Sequence, residues 1–321
     1  MYIVHEAFHQ KAMQYFRLHG KGNYSEGGQS HDVMNVVKDY GFVPESVYSG
    51  KQYGSDIHIH REMVSETKGI LEAVIKNPNR KVTPVWSKAL NGVLDVYLGT
   101  LPTSFKVDEK SYTPMSFMTS TGFNVSDYVE LTSYTHHPFY KPFGLEIPDN
   151  WSQDQYYNLP IDELMEVINN ALKSGYSVCW DGDVSDKGFS HRNGLAILPE
   201  GDTKDMTNSE ISKWEKMSSK EKDAILYDFQ KPGKEKVVDQ AMRQQNFDNY
   251  KTTDDHLMHL VGIEKDQNGT LYYKTKNSWD SDSNKFGGYL NMSESYVRLQ
   301  TVAIMVHKNA IPAALRAKLG L

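Results

Sequence analysis

The sequence predicts an α+β fold, on three observations. Apolar residues recur at helical spacing through the first third of the chain. β-prone, alternating segments cluster in residues 130–200 and 255–307. Helices and strands are segregated along the chain, where a parallel sheet would need them to alternate. At 321 residues the chain is long enough for one large domain or two lobes.

Taken in order, residues 1–20 read as a helix ending near Gly20, with Ile3, Ala7, Met13 and Phe16 on or near one stripe. "HGKGNYSEGGQSH" is a Gly-rich loop. "HDVMNVVKDYG" is a short amphipathic helix with Val33, Val36 and Val37 inward and Gly41 just past its end. "FVPESVYSG" leaves it as an extended segment. Residues 56–101 read as two helices separated by "NPNR", the second carrying Val85, Trp86, Ala89, Leu90, Val93, Leu94, Tyr97 and Leu98 at helical spacing. "YTPMSFMTSTG" is a proline-started turn or short helix. The stretch "YVELTSYTHHPFYKPFGLEIPDN" alternates and is broken by prolines, so it reads as strand and loop. "LPIDELMEVINNALKSG" is a helix ended by Gly175, and "YSVCW" is the strand that follows. Residues 203–248 are polar and mostly helical, broken at "QKPGKE"; within them "KWEKMSSKEKD" is a solvated helix face. Asn268-Gly269 marks a hairpin in "LMHLVGIEKDQNGTLYYKTKN". "YVRLQTVAIMVH" supplies a last strand, and "NAIPAALRAKLGL" a closing helix begun at Pro312 and ended at Gly320.

Composition excludes several classes. Apolar residues are 39%, charged residues 24% and aromatics 12%, the profile of a soluble globular chain. A net charge of −6 without a long basic stretch argues against nucleic acid as a partner. No apolar run approaches a membrane span, and no signal peptide is present. The single cysteine, Cys179, rules out an internal disulfide and a thiolate metal site.

One constellation carries chemistry. His256 opens a strand in "DDHLMHLVGI", and Asn277 stands 21 residues later, where the partner strand of a hairpin ends, in "YYKTKNSWD". A hairpin folds its two ends together. An Asn carbonyl can then accept one imidazole N–H, fix the tautomer and leave the other nitrogen for a nucleophile. Trp279 is placed to screen that bond from water. Cys179 is a poor nucleophile by position: it lies mid-strand between Val178 and Trp180, without the helix N-terminus that activates a thiol. Gly27 and Gly28 leave bare backbone on which an extended peptide can lie.

The segments "DHLMHLVGI", "YYKTKNSWD" and "GGYLNMSESY" resemble the His and Asn regions of papain-like cysteine peptidases, which use a Cys-His-Asn arrangement. "GGQSHDVMNVVKDYGFVPESVYSG" resembles the same family's Gly-Gly loop and helix; "YTHHPFYKPF" and "CWDGDVSDKGF", with inserts at about 51–130 and 203–250, resemble its bleomycin hydrolase and aminopeptidase C branch. The resemblance implies a two-lobe fold. Residues 1–50 would be the rest of a helical lobe and 51–130 a helical insertion. Residues 131–202 and 251–308 would form a β-barrel-like lobe, 203–250 a second helical insertion and 309–321 a C-terminal helix. It implies peptide substrates, His256 as general base and later acid, Asn277 as its orienting partner, Trp279 as its shield, Asp255 as a tuning charge, Gly27 and Gly28 as peptide-binding backbone, and Cys179 beside the non-prime pocket. The family's nucleophile and oxyanion-hole glutamine belong to a segment upstream of the Gly-Gly loop, where this sequence has no cysteine. The expectation is an N-terminally truncated peptidase, inactive alone; a non-catalytic peptide-binding or scaffold relative is the alternative. The resemblance also implies a hexameric assembly and a cytoplasmic location. A C-terminal arm in the cleft makes relatives aminopeptidases; with residues 309–321 taken up by a helix, an open or differently capped cleft is expected.

No cofactor or metal is expected. His58 and His60 in "DIHIH", and the pair His136-His137, have no acidic or thiolate partner at a telling spacing. Asn23, Asn124 and Asn150 open matches to the glycosylation acceptor pattern, which arises often by chance.

Overall fold

The structure is a computed structural model that describes residues 1–79, 81–201 and 206–321. Arg80, in the break between the two early helices, and residues 203–205, at the start of the polar helical stretch, lie outside the described residues. The chain divides into two units: 1–127 with 144–154, and 128–143 with 155–321.

The first unit is built on helices α1 (Tyr2–Arg17), α2 (Ser30–Tyr40), α3 (Arg61–Ile75), α4 (Val85–Leu98) and α5 (Pro114–Ser120), with the small hairpin of β1 (Phe105–Val107) and β2 (Lys110–Tyr112). Leu90, Leu94 and Leu98 recur every four residues on α4, and all three are fully buried. They meet Met63 and Leu71 of α3 and Phe8, Ala12 and Tyr15 of α1 in one core. Val85, at the start of α4, stays out of that core and exposed. α5 begins where Thr113 caps it, accepting from the Ser116 amide at 3.1 Å, with Pro114 at the first helical position.

In α2 the inward face differs from the valine reading. Val36 and Val37 are buried but Val33 is exposed, and the buried residues of the first turn are His31 and Asp32. The cause is a cap: Gln29 N donates to the Asp32 carboxylate at 2.7 Å, which turns that side of the helix toward the Gly-rich loop.

The second unit is a ten-stranded mixed sheet. Its strands are β3 (Tyr128–Thr132), β4 (Pro142–Gly144), β5 (Gln155–Asn158), β6 (Val178–Gly182), β7 (Phe189–Ser190), β8 (Leu195–Ala196), β9 (His256–Lys265), β10 (Leu271–Lys276), β11 (Tyr289–Ser293) and β12 (Thr301–His307), in the order β4-β5-β3-β12-β6-β9-β10-β11-β8-β7. Among the described residues the two ends of that order do not pair, so the sheet is open and no barrel closes. Helix α6 (Ile161–Lys173) lays Leu164, Met165, Val167, Ile168 and Ala171 on the core, against Trp180, Leu260, Tyr273 and Ile304. Helices α7 (Asn208–Lys216) and α8 (Ser219–Leu226) bury none of their residues, as a solvated polar pattern requires. Helix α9 (Gln240–Asp248) differs: Arg243 is 1% exposed and its guanidinium donates to the carbonyls of Ser133 (2.8 Å), Arg298 (3.1 Å), Leu299 (3.4 Å) and Val302 (3.5 Å).

The "YVRLQTVAIMVH" segment is not strand throughout. Glu294–Gln300 is helix α10, and only Thr301–His307 is strand. Ser293 decides this, because its hydroxyl accepts from the Tyr296 amide at 3.1 Å and Glu294 stands in the first turn. Helix α11 (Ala313–Leu319) buries Leu315 and Leu319 in the main core.

Candidate active site

The β9–β10 hairpin builds the site. Strand β9 lies between β6 and β10 and so is hydrogen-bonded along both edges. The register pairs Lys265 with Leu271 near the turn and His259 with Lys276 at the open end. The chain then leaves the ladder, and Asn277 N donates to Gly288 O at 3.2 Å. With its backbone held there, the Asn277 side chain reaches the start of β9: His256 Nε2 lies 3.0 Å from Asn277 Oδ1. Asn277 is 1% exposed, so this bond is protected from water. The amide oxygen can only accept, so His256 Nε2 carries the proton and Nδ1 is the basic nitrogen.

Neighbouring groups fix the strand that carries His256. Gly182 of β6 stands opposite it. A Cβ at Gly182 would come 2.3 Å from Gln300 O and 2.3 Å from the Trp180 ring, so only glycine fits. Asp255 accepts from the amides of Val184 (3.2 Å) and Ser185 (3.1 Å) and from the Thr253 hydroxyl (2.7 Å). Asp183, which the sequence gave no reason to single out, is 1% exposed and accepts from Thr253 N at 2.8 Å and Ser185 N at 2.7 Å. These two carboxylates tie the exit of β6 to the entry of β9. Asp255 thus accepts from two local amides and one local hydroxyl.

Trp279 lies 5.9 Å from His256, ring centre to ring centre, with planes 31° apart, and is 45% exposed. A second imidazole meets the same indole: His191 is 4.6 Å from Trp279 at 78°, an edge-to-face contact. His191 is buried, and burial together with Lys276 holds its pKa below the usual histidine value. The sequence carried no signal for it, since it sits in an irregular turn between two-residue strands.

Cys179 is apart from this group. It pairs with His259 on β9 and Met305 on β12, whereas His256 pairs with Gly182. Three residues along a strand is roughly 10 Å.

In the first unit, Gly27 is exposed and Gly28 partly so. Lys11, 4% exposed, donates to Ser25 O at 3.0 Å and also to Gly27 O. Burial pushes the Lys11 pKa down, against the pull of Asp149 and Asp32. A Cβ on Gly27 would fall 1.9 Å from Asp149 Oδ2, and one on Gly28 2.8 Å from Asp32 Oδ2. Bare backbone is thus a packing requirement of this loop. Asn150, in one of the glycosylation-like triplets, is 7% exposed, with its amide nitrogen bonded to Leu145 O and Asp154 O, both at 3.0 Å. His58 lies 3.9 Å from Glu45, a long ion-pair distance.

Comparison with known proteins places the chain in a family. The profile of the Peptidase C1-like family matches residues 18–227 and 209–320. Aminopeptidase G of Lactobacillus delbrueckii subsp. lactis is 23% identical over 305 residues, covering 88% of this chain and 63% of its own length. Aminopeptidase C of Streptococcus thermophilus is 24% identical over 322 residues, covering 90% of this chain and 64% of its own. The chain thus spans less than two thirds of the length of these curated relatives. The crystal structure of PepW from Lactobacillus rhamnosis superposes with a TM-score of 0.65 at 18% identity, covering 99% of this chain and 72% of that one. The shared fold is papain-like.

Proposed function

The chain belongs to the peptidase C1-like family of cysteine peptidases, and on that premise we propose that His256 and Asn277 are the base half of a Cys-His-Asn site that hydrolyses peptide bonds. The observation that carries this is the 3.0 Å bond from His256 Nε2 to Asn277 Oδ1. It leaves Nδ1 as a proton acceptor held in one orientation. A cysteine thiol would pass its proton to that nitrogen. The resulting thiolate would attack the scissile carbonyl carbon, and the imidazolium would return the proton to the departing amine as the C–N bond breaks. Water, deprotonated by the same nitrogen, would then release the acyl group. Trp279 screens the imidazole–amide bond, and the backbone of Gly27 and Gly28 receives the peptide. Relatives named as aminopeptidases support action at peptide N-termini.

The thiolate is not Cys179. That residue is the sequence's one cysteine, and it sits mid-strand three register positions from His256. The nucleophile in this reading is a cysteine that the sequence does not contain. This chain alone is therefore expected to leave a fluorogenic aminopeptidase substrate uncleaved. Turnover abolished by Cys179→Ala would overturn the assignment. A peptide-binding role without catalysis is the second reading, favoured by the missing nucleophilic cysteine. Homo-oligomer formation belongs to the first, and light scattering reads it directly.

A further inference from the structure

We propose that His191 is a positioning residue that clamps Trp279 beside the His256–Asn277 pair, a role that rests on the function proposed above. The turn His191–Asn193 joins β7 to β8, and the segment from Trp279 into β11 is docked on it and on the following Gly194 at four points. His191 Nε2 lies 2.9 Å from Ser283 Oγ. Asn284 Nδ2 donates to His191 O at 2.9 Å. Asn291 N donates to Gly194 O at 2.9 Å. Phe286 packs so closely on Gly194 that a Cβ there would lie 2.3 Å from its ring, at a backbone φ of +67° that also favours glycine.

The protons can be placed. Ser283 has one hydroxyl hydrogen, and it goes to Asp280 O. Toward His191 the hydroxyl oxygen must therefore accept, so His191 carries its hydrogen on Nε2. His191 Nδ1 is buried with no hydrogen-bond partner. A second proton there would be an unpaired buried donor, with Lys276 as the charged neighbour. The ring is thus a neutral, singly tautomeric edge set against the indole.

Such a clamp has work to do because Trp279 is half-exposed on a loop whose Ser278, Asp280 and Ser281 are also exposed. Of the ring contacts described here, the indole has two, His256 and His191. Without His191 only the wider, tilted contact to His256 remains, and water gains access to the bond that fixes the His256 tautomer.

The test is nitrogen-15 NMR of the histidine ring nitrogens in this chain and in His191→Ala, His191→Phe and His191→Gln. In the parent, His256 should be held as the Nε2–H form. His191→Ala should raise the Nδ1–H population of His256 several-fold and loosen the Trp279 indole contacts. His191→Phe, which keeps a ring but not the Ser283 bond, should restore the parent state; His191→Gln, which can reach Ser283 but has no ring, should not. An unchanged His256 tautomer in His191→Ala, or rescue by Gln alone, would overturn the clamp. If His191→Ala does not fold, the Phe and Gln variants decide between the same outcomes. The measurement requires no catalysis, so failure of the clamp is separable from failure of the peptidase reading, which shows as turnover of the fluorogenic substrate by this chain that Cys179→Ala abolishes.

Discussion

Replacing Asp32 with asparagine should stabilise the protein at neutral pH and do little at pH 4. The Asp32 carboxyl is 5% exposed, and desolvation, opposed by His31, the Gln29 amide, Ser152 and Lys11, pushes its pKa up to about 6 from 3.8. A rise of about two units corresponds to roughly 3 kcal/mol between the two protonation states. The sign follows from proton counting. Between about pH 4 and 6 the folded chain keeps a proton here that the unfolded chain has lost. Stability from this group therefore falls as pH rises through that window and levels off above 6. Asparagine keeps an oxygen for the Gln29 amide and never ionises. The expected result is coincident urea unfolding curves for parent and Asp32→Asn at pH 4, diverging to about 1–3 kcal/mol in favour of the variant at pH 7. Hydrogen exchange at the Gln29 amide should slow in step. A variant less stable at pH 7 would show that the ionised carboxylate is worth more to the cap than its burial costs, and the reasoning would fail.

Other substitutions probe the remaining features. Gly27→Ala should lower stability by about 1–3 kcal/mol through overlap with Asp149, and thermal melts should show part of the loss recovered in the Gly27→Ala/Asp149→Ala double variant. Asn277→Ala should free His256 from its single tautomer, visible in ring-nitrogen shifts with the far-ultraviolet spectrum unchanged. Arg243→Met should cost about 3 kcal/mol, since four carbonyls lose the guanidinium as a donor, three of these bonds being fully buried or nearly so; Arg243→Lys should recover only part in a urea titration, because an ammonium cannot reproduce the guanidinium fork.

Much of the architecture could be read from local pattern. The four-residue spacing of Leu90, Leu94 and Leu98 fixes a buried helix face whatever surrounds it. The Asn268-Gly269 turn fixes a hairpin, and hairpin geometry brings residues 256 and 277 together. Failures occur where a polar group outweighs the apolar pattern. Val33 yields the inner face of α2 to Asp32 because a cap is needed there. Tyr296 and Val297 look like strand residues, yet Ser293 starts a helix through them. Arg243 sits in a stretch that reads as polar and helical, and its burial is explained by carbonyls 55 or more residues away in the chain and by the Tyr134 ring. His191 likewise gains meaning only from Trp279, Ser283 and Asn284, all on another segment. Long-range polar partners leave no periodic trace.

The Arg243 knot has one more consequence. A guanidinium held by main-chain carbonyls and by the face of Tyr134, 4.7 Å from its ring centre, draws its hold from dipoles and a ring quadrupole, which carry no net charge. Added electrolyte weakens attraction between ions across water but leaves such short, desolvated contacts almost untouched. The contacts by which this side chain joins Ser133 to the segment from Arg298 to Val302 should therefore hold equally in dilute buffer and in concentrated brine, a tolerance set by one arginine.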